Sequence, residues 1–378
     1  MIKLGEVAEF ARDGVLPNHI KSGTLFVGLE NIKKGGGFEG VSTVDEGELA
    51  STKFAFTPKH VLYGKLRPYL AKIALPDFEG VCSTDIIPIL PGPKLDRRYL
   101  AHYLLTPKMI ALASDRAAGA NLPRLSPRVL IDFPIPLPPI DEQRRIAAML
   151  DKAEELRAKR RAAIALLDQL PQAIFLEMFG DGVPLKSLSE LAELKRGPFG
   201  GALKKEFFVE SGFKVYEQGN VIADDFEIGN YFIDERRFSK MRGFEIAPDD
   251  LLVSCSGTLG RIAQVPRNAA PGLINQALLR LRVRNDQMRP TFLRLALQSH
   301  AVQQVLAGFS RGSGLQNFPP MSEVRSLLIP APDLHAQDKF IVRVEQIAGI
   351  RAAYQSVLDE SHALRTSLQW SAFSGDCG

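Results

Sequence analysis

The stretches IPLPPIDEQ (residues 135–143) and IPAPDLHAQ (residues 329–337) are two copies of one motif. Their offset (329 − 135 = 194) is about half of the 378-residue chain. Each copy leads into a long helix-like stretch, and these stretches close on an aromatic residue, Phe179 in the first and Phe373 in the second. A period this long indicates a duplicated domain, because the units of solenoid repeats are only about 20–50 residues long. A duplicated domain in turn predicts a pseudo-twofold molecule.

The chain is predicted to have an α+β fold, in which two similar mixed α/β globular domains are joined by two long antiparallel, coiled-coil-like helices. A length of 378 residues is too great for one core and suits two domains. Short β-branched and aromatic runs between Gly and Pro residues predict the strands of each domain. The expected boundaries are residues 1–139 for the first globular domain, 140–180 for the central helix, 181–333 for the second globular domain and 334–378 for the distal helix.

The two long helices are predicted from the proline-rich motif and from the apolar positions that follow it. The prolines force an extended approach, and the acidic Asp141 and Glu142 suit the positive end of the first helix dipole. Apolar side chains then recur about every 3.5 residues, which is typical of a helix that packs along a partner helix. Neither helix can bury such a stripe alone, so we expect the two to pair antiparallel. The stripe residues are Met149, Ala153, Leu156, Ala163, Leu167 and Leu170 in the first helix, and Phe340, Val344, Ile347, Ile350, Tyr354, Val357 and Leu364 in the second.

The composition is that of an ordinary folded protein. Hydrophobic residues make up 45% and charged residues 24% of the chain, as in globular domains. No apolar run approaches the roughly 18 residues of a membrane span, and the first residues are charged, unlike a signal peptide, so we expect a cytoplasmic protein without membrane contact. Cys82, Cys255 and Cys377 form no CxxC pair, which argues against disulfides and zinc. The net charge of +4 allows an anionic partner.

No catalytic or cofactor motif stands out. GGGFEG at residues 35–40 formally matches GxGxxG, but it lacks the preceding strand and following helix of a dinucleotide site. The six histidines show none of the spacings that cluster metal ligands on a helix face. The sequence therefore predicts no catalytic activity, no cofactor and no metal. Two alternatives stay open: a DNA methyltransferase with its own recognition domains, which would need a cofactor motif and a catalytic loop, and a helical adaptor without a DNA function.

Basic and amide side chains fall at matched places in the two halves. Residues 58–75 align with residues 248–265, and residues 116–126 align with residues 309–319. Arg can pair with guanine, and Asn or Gln with adenine, so Gly-rich loops that carry these residues are suited to reading base edges. Because the apolar positions agree while these side chains differ, we expect one scaffold that reads two different sequences. The candidate DNA-binding residues are Lys65, Arg67, Tyr69, Lys72, Arg116, Asn121 and Arg124 in the first half, and Lys204, Lys205, Ser256, Thr258, Arg261, Arg311, Gln316 and Asn317 in the second.

Residues 135–180, which begin with the first proline-led motif, closely resemble the central conserved region of the specificity subunits of type I restriction-modification enzymes. Residues 196–222 (RGPFGGALKKEFFVESGFKVYEQGNVI) also look like the start of a target recognition domain of that family. The resemblance covers the whole chain in order, as recognition domain, conserved helix, recognition domain and conserved helix. It implies that residues 1–139 and 181–333 are target recognition domains.

The resemblance implies a non-catalytic subunit that directs adenine methylation or, with a restriction subunit, cleavage. Its implied partners are double-stranded DNA with a bipartite site, two modification (methyltransferase) subunits bound through the conserved helices, and restriction subunits. Each recognition domain would read one half of the site. Two features depart from the family pattern. Pro171 interrupts a helix that usually runs on, which predicts a kink or an early end near Leu170. The second motif is eroded relative to the first, which predicts a weaker hold of the distal helix on its partner.

Overall fold

The chain folds as two compact units. Unit 1 consists of Met1–Ala162 and Ser356–Gly378, and unit 2 consists of Ala163–Gln355. Both divisions fall inside long helices, so each unit contains a globular part and one segment of each long helix. The computed structural model describes residues 1–10, 13–180, 182–283, 287–307 and 318–374.

Unit 1 is a mixed α and β unit whose helices begin at positions that the sequence marks. The Asp96 carboxylate accepts hydrogen bonds from the backbone N–H groups of Arg98 and Tyr99, which caps the first helix. The next two helices begin with a proline at the first helical position, where its missing N–H costs little. The strands are β1 (Ile2–Lys3), β2 (Ala8–Phe10), β3 (Gly14–Val15), β4 (Thr24–Val27), β5 (Ser42–Val44), β6 (Lys53–Phe56), β7 (Val61–Gly64), β8 (Ile73–Ala74), β9 (Gly80–Cys82), β10 (Ile86–Pro91) and β11 (Pro134–Ile135). The helices are α1 (Arg97–Leu104), α2 (Pro107–Asp115), α3 (Pro127–Ile131), the first part of α4 (Ile140–Phe179) and the last part of α11 (Leu334–Ser374).

The main core of unit 1 lies on an antiparallel sheet in the order β2-β10-β7-β8. The buried side chains of β10 and β7 face Tyr99 and Leu100 of α1, both of which are fully buried. A second sheet, in the order β3-β6-β9-β4-β5, contains one parallel pair, β4 with β9. Side chains of this second sheet and of the first sheet together form a smaller core, which includes Phe56 and Cys82. Strands β1 and β11 pair separately and bring Ile2 opposite Ile135.

Unit 2 repeats this plan. Its strands are β12 (Leu185–Ser187), β13 (Ala192–Arg196), β14 (Phe213–Tyr216), β15 (Phe232–Ile233), β16 (Leu251–Ser254), β17 (Ile262–Gln264), β18 (Gly272–Ile274), β19 (Leu278–Val283) and β20 (Leu328–Pro330). Its helices are the second part of α4, α5 (Leu188–Leu191), α6 (Gln218–Ala223), α7 (Glu235–Lys240), α8 (Pro290–Leu297), α9 (His300–Ala307), α10 (Met321–Ser326) and the first part of α11 (Leu334–Ser374).

The sheets of unit 2 correspond to those of unit 1. The order β13-β19-β16-β17 matches β2-β10-β7-β8 strand for strand, and the pair β12–β20 matches β1–β11. The second, outer sheet of each unit differs. It has the five strands β3-β6-β9-β4-β5 in unit 1, and in unit 2 it has three described strands, β15-β14-β18, with a parallel pair β14–β18. The prediction of two similar α+β domains is thus confirmed. The two domains diverge in the outer sheet and agree in the sheet that carries the main core.

The two long helices pair antiparallel in unit 1. Arg365 of α11 donates from Nε to Oε1 of Glu154 of α4 at 2.8 Å. One helical turn or more further along α4, Arg160 donates to Oγ of Ser361. Residue numbers therefore rise along α4 while they fall along α11, as the sequence predicted.

The same pairing holds in unit 2. Arg351 of α11 pairs with Asp168 of α4, with 2.5 Å between Nε and Oδ1. Further along α4, the ring centroid of Phe175 lies 5.6 Å from that of Phe340, near the start of α11. The direction is again antiparallel, so both segments of the helix pair follow one arrangement.

Several residues of the predicted apolar stripes do not face the partner helix. In α4, Arg157 and Ile164 are buried, whereas Met149, Leu156 and Leu170 are exposed. A straight helix with 3.6 residues per turn drifts by about 20° per heptad against a 3.5-residue stripe, so such a stripe leaves the contact line. The prediction of the inward face was wrong at these positions. We call the exposed apolar residues of the two helices the outer stripe: Met149, Leu156, Leu166, Leu170, Leu176, Val342, Ile350, Tyr354, Val357 and Leu364.

Pro171 does not end the central helix, which continues to Phe179. Of the predicted kink or early end near Leu170, the early end was therefore wrong. A proline inside a helix costs about 3 kcal/mol relative to alanine. Beyond it, Phe175 and Phe179 are buried in the core of unit 2, where each large side chain contributes about 1.5–3 kcal/mol. The burial of two rings thus outweighs the loss of one backbone hydrogen bond.

Replacing Pro171 with alanine is expected to raise the free energy of unfolding by about 1–3 kcal/mol, because the helix regains a backbone donor and loses a ring clash. Urea denaturation followed by circular dichroism measures this change. Gln169→Ala, at an exposed position two residues earlier, serves as the control and should change stability by less than about 0.5 kcal/mol. A loss of stability in P171A would contradict the view that the helix merely tolerates this proline.

Helix α4 is also long enough and apolar enough to cross a membrane, by its length and composition alone. Long helices in the cores of folded proteins meet the same criteria. In this helix Asp168 is ion-paired with Arg351, and Phe175 and Phe179 lie in the core of unit 2. This single apolar helix therefore does not indicate a membrane span.

One glutamine in each copy of the motif fastens a long helix to its globular part. Gln143, which is 1% exposed, accepts from the backbone N–H of Asp96 at 2.9 Å. It donates to the carbonyls of Lys94 and Pro138 at 2.9 and 2.8 Å. The first motif thus ends on a side chain that satisfies three backbone hydrogen-bonding groups.

Gln337 makes the same three contacts in unit 2. Its Oε1 accepts from the N–H of Arg289 at 2.7 Å, and its Nε2 donates to the carbonyls of Gln287 and Pro332 at 3.1 and 2.8 Å. Gln337 follows Gln143 by 194 residues (337 − 143), which is the offset of the two motifs. The repeat in sequence is therefore a repeat of specific hydrogen bonds.

Candidate nucleic-acid interface

The loop between β7 and β8 in unit 1 holds an unusual backbone. Arg67 and Ala71 have positive φ angles of 52° and 49°, a conformation that is strained for residues with a Cβ. Two hydrogen bonds support Arg67: its N–H donates to the carbonyl of Pro123 at 2.7 Å, and its carbonyl accepts from Leu70 at 2.9 Å. Strained backbone of this kind concentrates at functional sites. The loop is thus rigid and holds Arg67 at the surface.

A second loop, between α2 and α3, lies against the first. Ala118 and Arg124 exchange backbone hydrogen bonds at 3.0 and 2.8 Å, which closes the loop on itself. Arg124 also forms a β-bridge with Leu66, and the N–H of Leu125 donates to the carbonyl of Lys65 at 2.9 Å. Two candidate regions that are far apart in the sequence therefore come together. We call this surface the unit 1 loop pair, residues 65–72 and 116–124.

The charges of the unit 1 loop pair are mostly positive. Asp85 lies between Lys65 and Arg124, with 3.8 Å to Nζ of Lys65 and 3.2 Å to Nε of Arg124. Arg67 is exposed and Tyr69 is half-exposed beside them. Surface ion pairs are worth only about 0–1 kcal/mol, so Asp85 can position the Arg124 guanidinium without preventing it from reaching a base or a phosphate.

The other three candidates of unit 1 have different surroundings. Lys72 donates from Nζ to the carbonyl of Leu29 at 2.6 Å, so its ammonium is held against the protein. The guanidinium of Arg116 lies 5.8 Å from the ring centroid of Phe133. Asn121 is exposed at the tip of the second loop. Asn121 and Arg116 are thus exposed, whereas the Lys72 ammonium is held by a backbone carbonyl.

In unit 2, the loop between β16 and β17 corresponds to the loop between β7 and β8. It exposes Ser256, Thr258 and Arg261. The buried Ser254 fastens this loop, because its Oγ donates to the carbonyl of Thr258 at 2.6 Å and accepts from the N–H of Arg261 at 3.0 Å. Beside it is a cavity of about 630 Å³, whose polar lining includes Gln303.

The remaining candidates of unit 2 lie elsewhere. Lys204 and Lys205 are exposed in a segment that ends in a short 3-10 turn, and Lys204 lies 3.9 Å from Glu206. Arg311, Gln316 and Asn317 lie outside the described residues. The structure therefore shows two of the three candidate groups of unit 2 and brings Ser256, Thr258 and Arg261 together on one loop.

A further positive surface in unit 2 was not predicted. A groove of about 720 Å³ is lined by Lys195, Arg196 and Arg325, together with Phe199 and Gln276. We call it the basic groove. The sequence did contain a signal, since Arg196 and Phe199 belong to the RGPFG stretch that carried the family resemblance. The groove was missed because Arg325 approaches from α10, far along the chain.

The described residues contain neither a cluster that could hold a metal ion nor a reactive thiol. Within the described ranges, no group of three or more His, Cys, Asp or Glu side chains could hold a metal ion. Burial raises the pKa of the Cys82 and Cys255 thiols to about 12, so neither is a thiolate at neutral pH. The candidate side chains that are exposed on the described loops of the two units include cations, an amide and hydroxyls. Such groups suit the binding of phosphates and base edges.

Comparisons with known proteins bear on these surfaces. Residues 1–166 match the family model described as "Type I restriction modification DNA specificity domain". A segment of the chain is 31% identical over 167 residues to the type I restriction enzyme EcoDI specificity subunit of Escherichia coli, covering 43% of this chain. That alignment spans about a third of the relative's length, 35%. The EcoBI specificity subunit of the same organism is 22% identical over 405 residues, covering 95% of this chain and 81% of the relative.

Two solved structures share the fold. One comes from a study of "complex assembly" and "conformational transition of the type I R-M system"; it is 20% identical, has a TM-score of 0.67 and covers 99% of this chain and 97% of its own. The HsdS subunit of Thermoanaerobacter tengcongensis is 21% identical, with a TM-score of 0.53, and covers 99% and 96%. These likenesses extend the family resemblance of the first 166 residues to a common fold along nearly the whole chain.

Proposed function

We propose that the chain is the DNA-recognition subunit of a type I restriction-modification system. The premise is that residues 1–166 belong to the family of type I restriction modification DNA specificity domains. It would act in the cytoplasm on double-stranded DNA. Unit 1 and unit 2 would each read one part of a bipartite site. The observation that carries this proposal is the convergence of two sequence-distant basic loops in the unit 1 loop pair.

In this role the chain supplies recognition and carries out no bond-making step. Lysines grip phosphates and fix the position of the protein on the duplex, while Arg, Asn and Gln side chains discriminate bases. Arg67, Arg124 and Asn121 of unit 1 are placed for such contacts, because all three are exposed on the loop pair. In unit 2, Thr258 and Arg261 occupy the corresponding loop. The family match favours this function over a self-contained methyltransferase and over an adaptor without a DNA function.

The partners that complete this function would be two modification subunits and restriction subunits. The outer stripe supports docking on the long helices, because it gathers ten exposed large apolar side chains on two helices, and exposed apolar patches mark protein–protein interaction sites. Leu166 and Ile350 in unit 2 are 65% and 50% exposed, and Leu156 and Leu364 in unit 1 are 41% and 61% exposed. Each unit would thus offer one helical face to one modification subunit.

Replacing both Leu166 and Ile350 with lysine is expected to reduce the complex from two modification subunits per chain to one. Burying two charges in an apolar interface is costly, while exposed substitutions leave the stability of the chain within about 0.5 kcal/mol. Sedimentation or native mass spectrometry of the co-expressed complex measures the stoichiometry. Gln169→Lys with Gln346→Lys adds the same charges at exposed polar positions of the same helix segments and should retain both subunits.

The direct test of DNA recognition is binding of the complex to duplex DNA in increasing salt. A recognition subunit should bind a specific duplex more tightly than a random one, and the affinity for both should fall steeply as salt rises. Equal binding to every duplex at every salt concentration would argue against recognition. Binding of S-adenosylmethionine by the chain alone would instead favour the methyltransferase.

A further inference from the structure

Phe199 is a large apolar side chain that the described residues of unit 2 leave uncovered. It is 95% exposed, whereas the burial of a phenylalanine is ordinarily a main source of stability. Its neighbours Pro198 and Leu203 are buried. The exposure is therefore specific to this one residue.

The backbone holds Phe199 in place. The N–H of Gly197 donates to the carbonyl of Leu278 at 2.9 Å, and the carbonyl of Phe199 accepts from Ala202 at 2.9 Å. Gly197 approaches its neighbour so closely that a Cβ there would lie 1.8 Å from the carbonyl oxygen of Asn275, so only glycine fits. The ring is thus presented from a fixed loop, and binding through it would cost little ordering entropy.

The surroundings of Phe199 are positively charged. The basic groove places Lys195, Arg196 and Arg325 around it, and none of its described lining residues is acidic. Two of these cations are oriented by rings: Nζ of Lys195 lies 5.0 Å from the Phe244 centroid, and Cζ of Arg196 lies 5.3 Å from that of Phe318. Arg325 is exposed. Fixed cations suit the phosphates of a nucleic acid, and a projecting apolar ring suits the apolar faces of its stacked bases.

Resting on the proposed function, we infer that the basic groove binds the DNA backbone and that Phe199 inserts between two base pairs of the part of the site read by unit 2. The cations would contact the flanking phosphates, which carry no sequence information by themselves. The ring would separate one base step, as apolar wedges do in proteins that kink DNA. Because flexible pyrimidine–purine steps open most readily, Phe199 would contribute sequence preference without a hydrogen bond to any base.

The test uses the full chain assembled with its modification subunits and a duplex that carries the methylated site mapped in the host. 2-Aminopurine is placed at successive positions, since its fluorescence rises where base stacking is lost. The wild-type complex should give a rise at one step, in one part of the site. Phe199→Ala should abolish that rise and weaken binding to this duplex about 10-fold or more, with random-duplex affinity changed much less. Arg325→Gln should weaken binding to both duplexes and lower the salt slope by about one.

Leu328→Ala removes another exposed apolar side chain of unit 2, which is 59% exposed, and should match wild type in both measurements. Wild-type fluorescence and affinity in F199A would overturn the inference while leaving DNA recognition intact. Loss of a modification subunit in F199A, with affinity unchanged for complexes that keep both subunits, would show that the ring docks protein instead. If the wild-type complex does not prefer the mapped site, the proposed function is contradicted, and this inference is contradicted with it.

Discussion

Replacing Gln143 with leucine is expected to lower the free energy of unfolding of unit 1 by about 3–5 kcal/mol. The substitution keeps the side-chain volume but removes three hydrogen bonds, to Asp96, Lys94 and Pro138. Each buried backbone group left without a partner costs about 1–3 kcal/mol. Because Gln143 is 1% exposed, solvent has little access to replace the lost partners. The effect is large for one side chain because the glutamine joins a helix to the sheet that carries the core.

Native-state hydrogen exchange measures this effect where it arises, at the amides around residues 94–96 and in α1. Gln337→Leu is the matched variant, and it should reduce protection in unit 2 around residues 287–289. Gln169→Leu changes the same residue type at an exposed position of α4 and should leave both regions protected. If Gln143→Leu and Gln337→Leu each change the free energy of unfolding by less than about 1 kcal/mol, these glutamines do not hold the long helices to the globular parts.

Replacing Arg124 with alanine is expected to weaken recognition of one part of the DNA site and to leave the other part unchanged. A bidentate contact between arginine and a base is worth about 1–3 kcal/mol of discrimination, which corresponds to about a 5-fold to 150-fold loss of preference. Arg124 stands on a backbone that is bridged to Leu66, and its partner Asp85 is a surface group. Its loss should therefore change binding and leave stability nearly unaffected.

Competition binding with duplexes altered one base pair at a time measures the change. Arg128→Ala removes an exposed cation from α3 of the same unit and should preserve the full pattern of preferences. If R124A weakens every duplex equally and lowers the salt slope by about one, Arg124 contacts a phosphate and not a base. Equal loss of preference at both parts of the site would argue against separate readers.

The repeat was visible in the sequence because it consists of residues with fixed roles. The prolines of the two motifs, the glutamine that ends each and the aromatic residue that ends each helix recur at one offset. In the structure, Phe373 packs on Tyr99 with 5.2 Å between centroids, and Phe179 packs on Phe292 at the same separation. Features tied to backbone hydrogen bonds and buried rings are therefore predictable from a single chain.

The faces of the long helices were less predictable. Periodicity locates an apolar stripe but not what covers it, and the outer stripe lies on the exposed surface. The contact line in unit 1 is instead polar, since Arg157 is buried and donates to Glu154 at 2.9 Å. Arg365 reaches the same Glu154 carboxylate from α11. Such a partly buried ion cluster depends on two helices at once, so the residue pattern of one helix does not predict it.

The arrangement of the candidate DNA-binding residues could not be predicted from the sequence. The structure brings the regions around Lys65 and Arg124 together, although the alignment of the two halves says nothing about contacts within one half. Lys72 is held by a backbone carbonyl, which a sequence does not reveal. The basic groove was missed because β13 and α10 meet only through the fold. Residue type indicates which side chains can contact DNA, but tertiary contacts decide which of them are free to do so.

The most direct measurement is a base-resolution map of methylated DNA in a host that carries this chain with its modification subunits, for the wild type and for R124A. The account predicts two short specified segments separated by unspecified base pairs, with centres about 10 base pairs apart, one helical turn. In R124A one segment should change and the other should stay as it was. A single continuous recognition sequence, or a change in both segments from this one substitution, would contradict it.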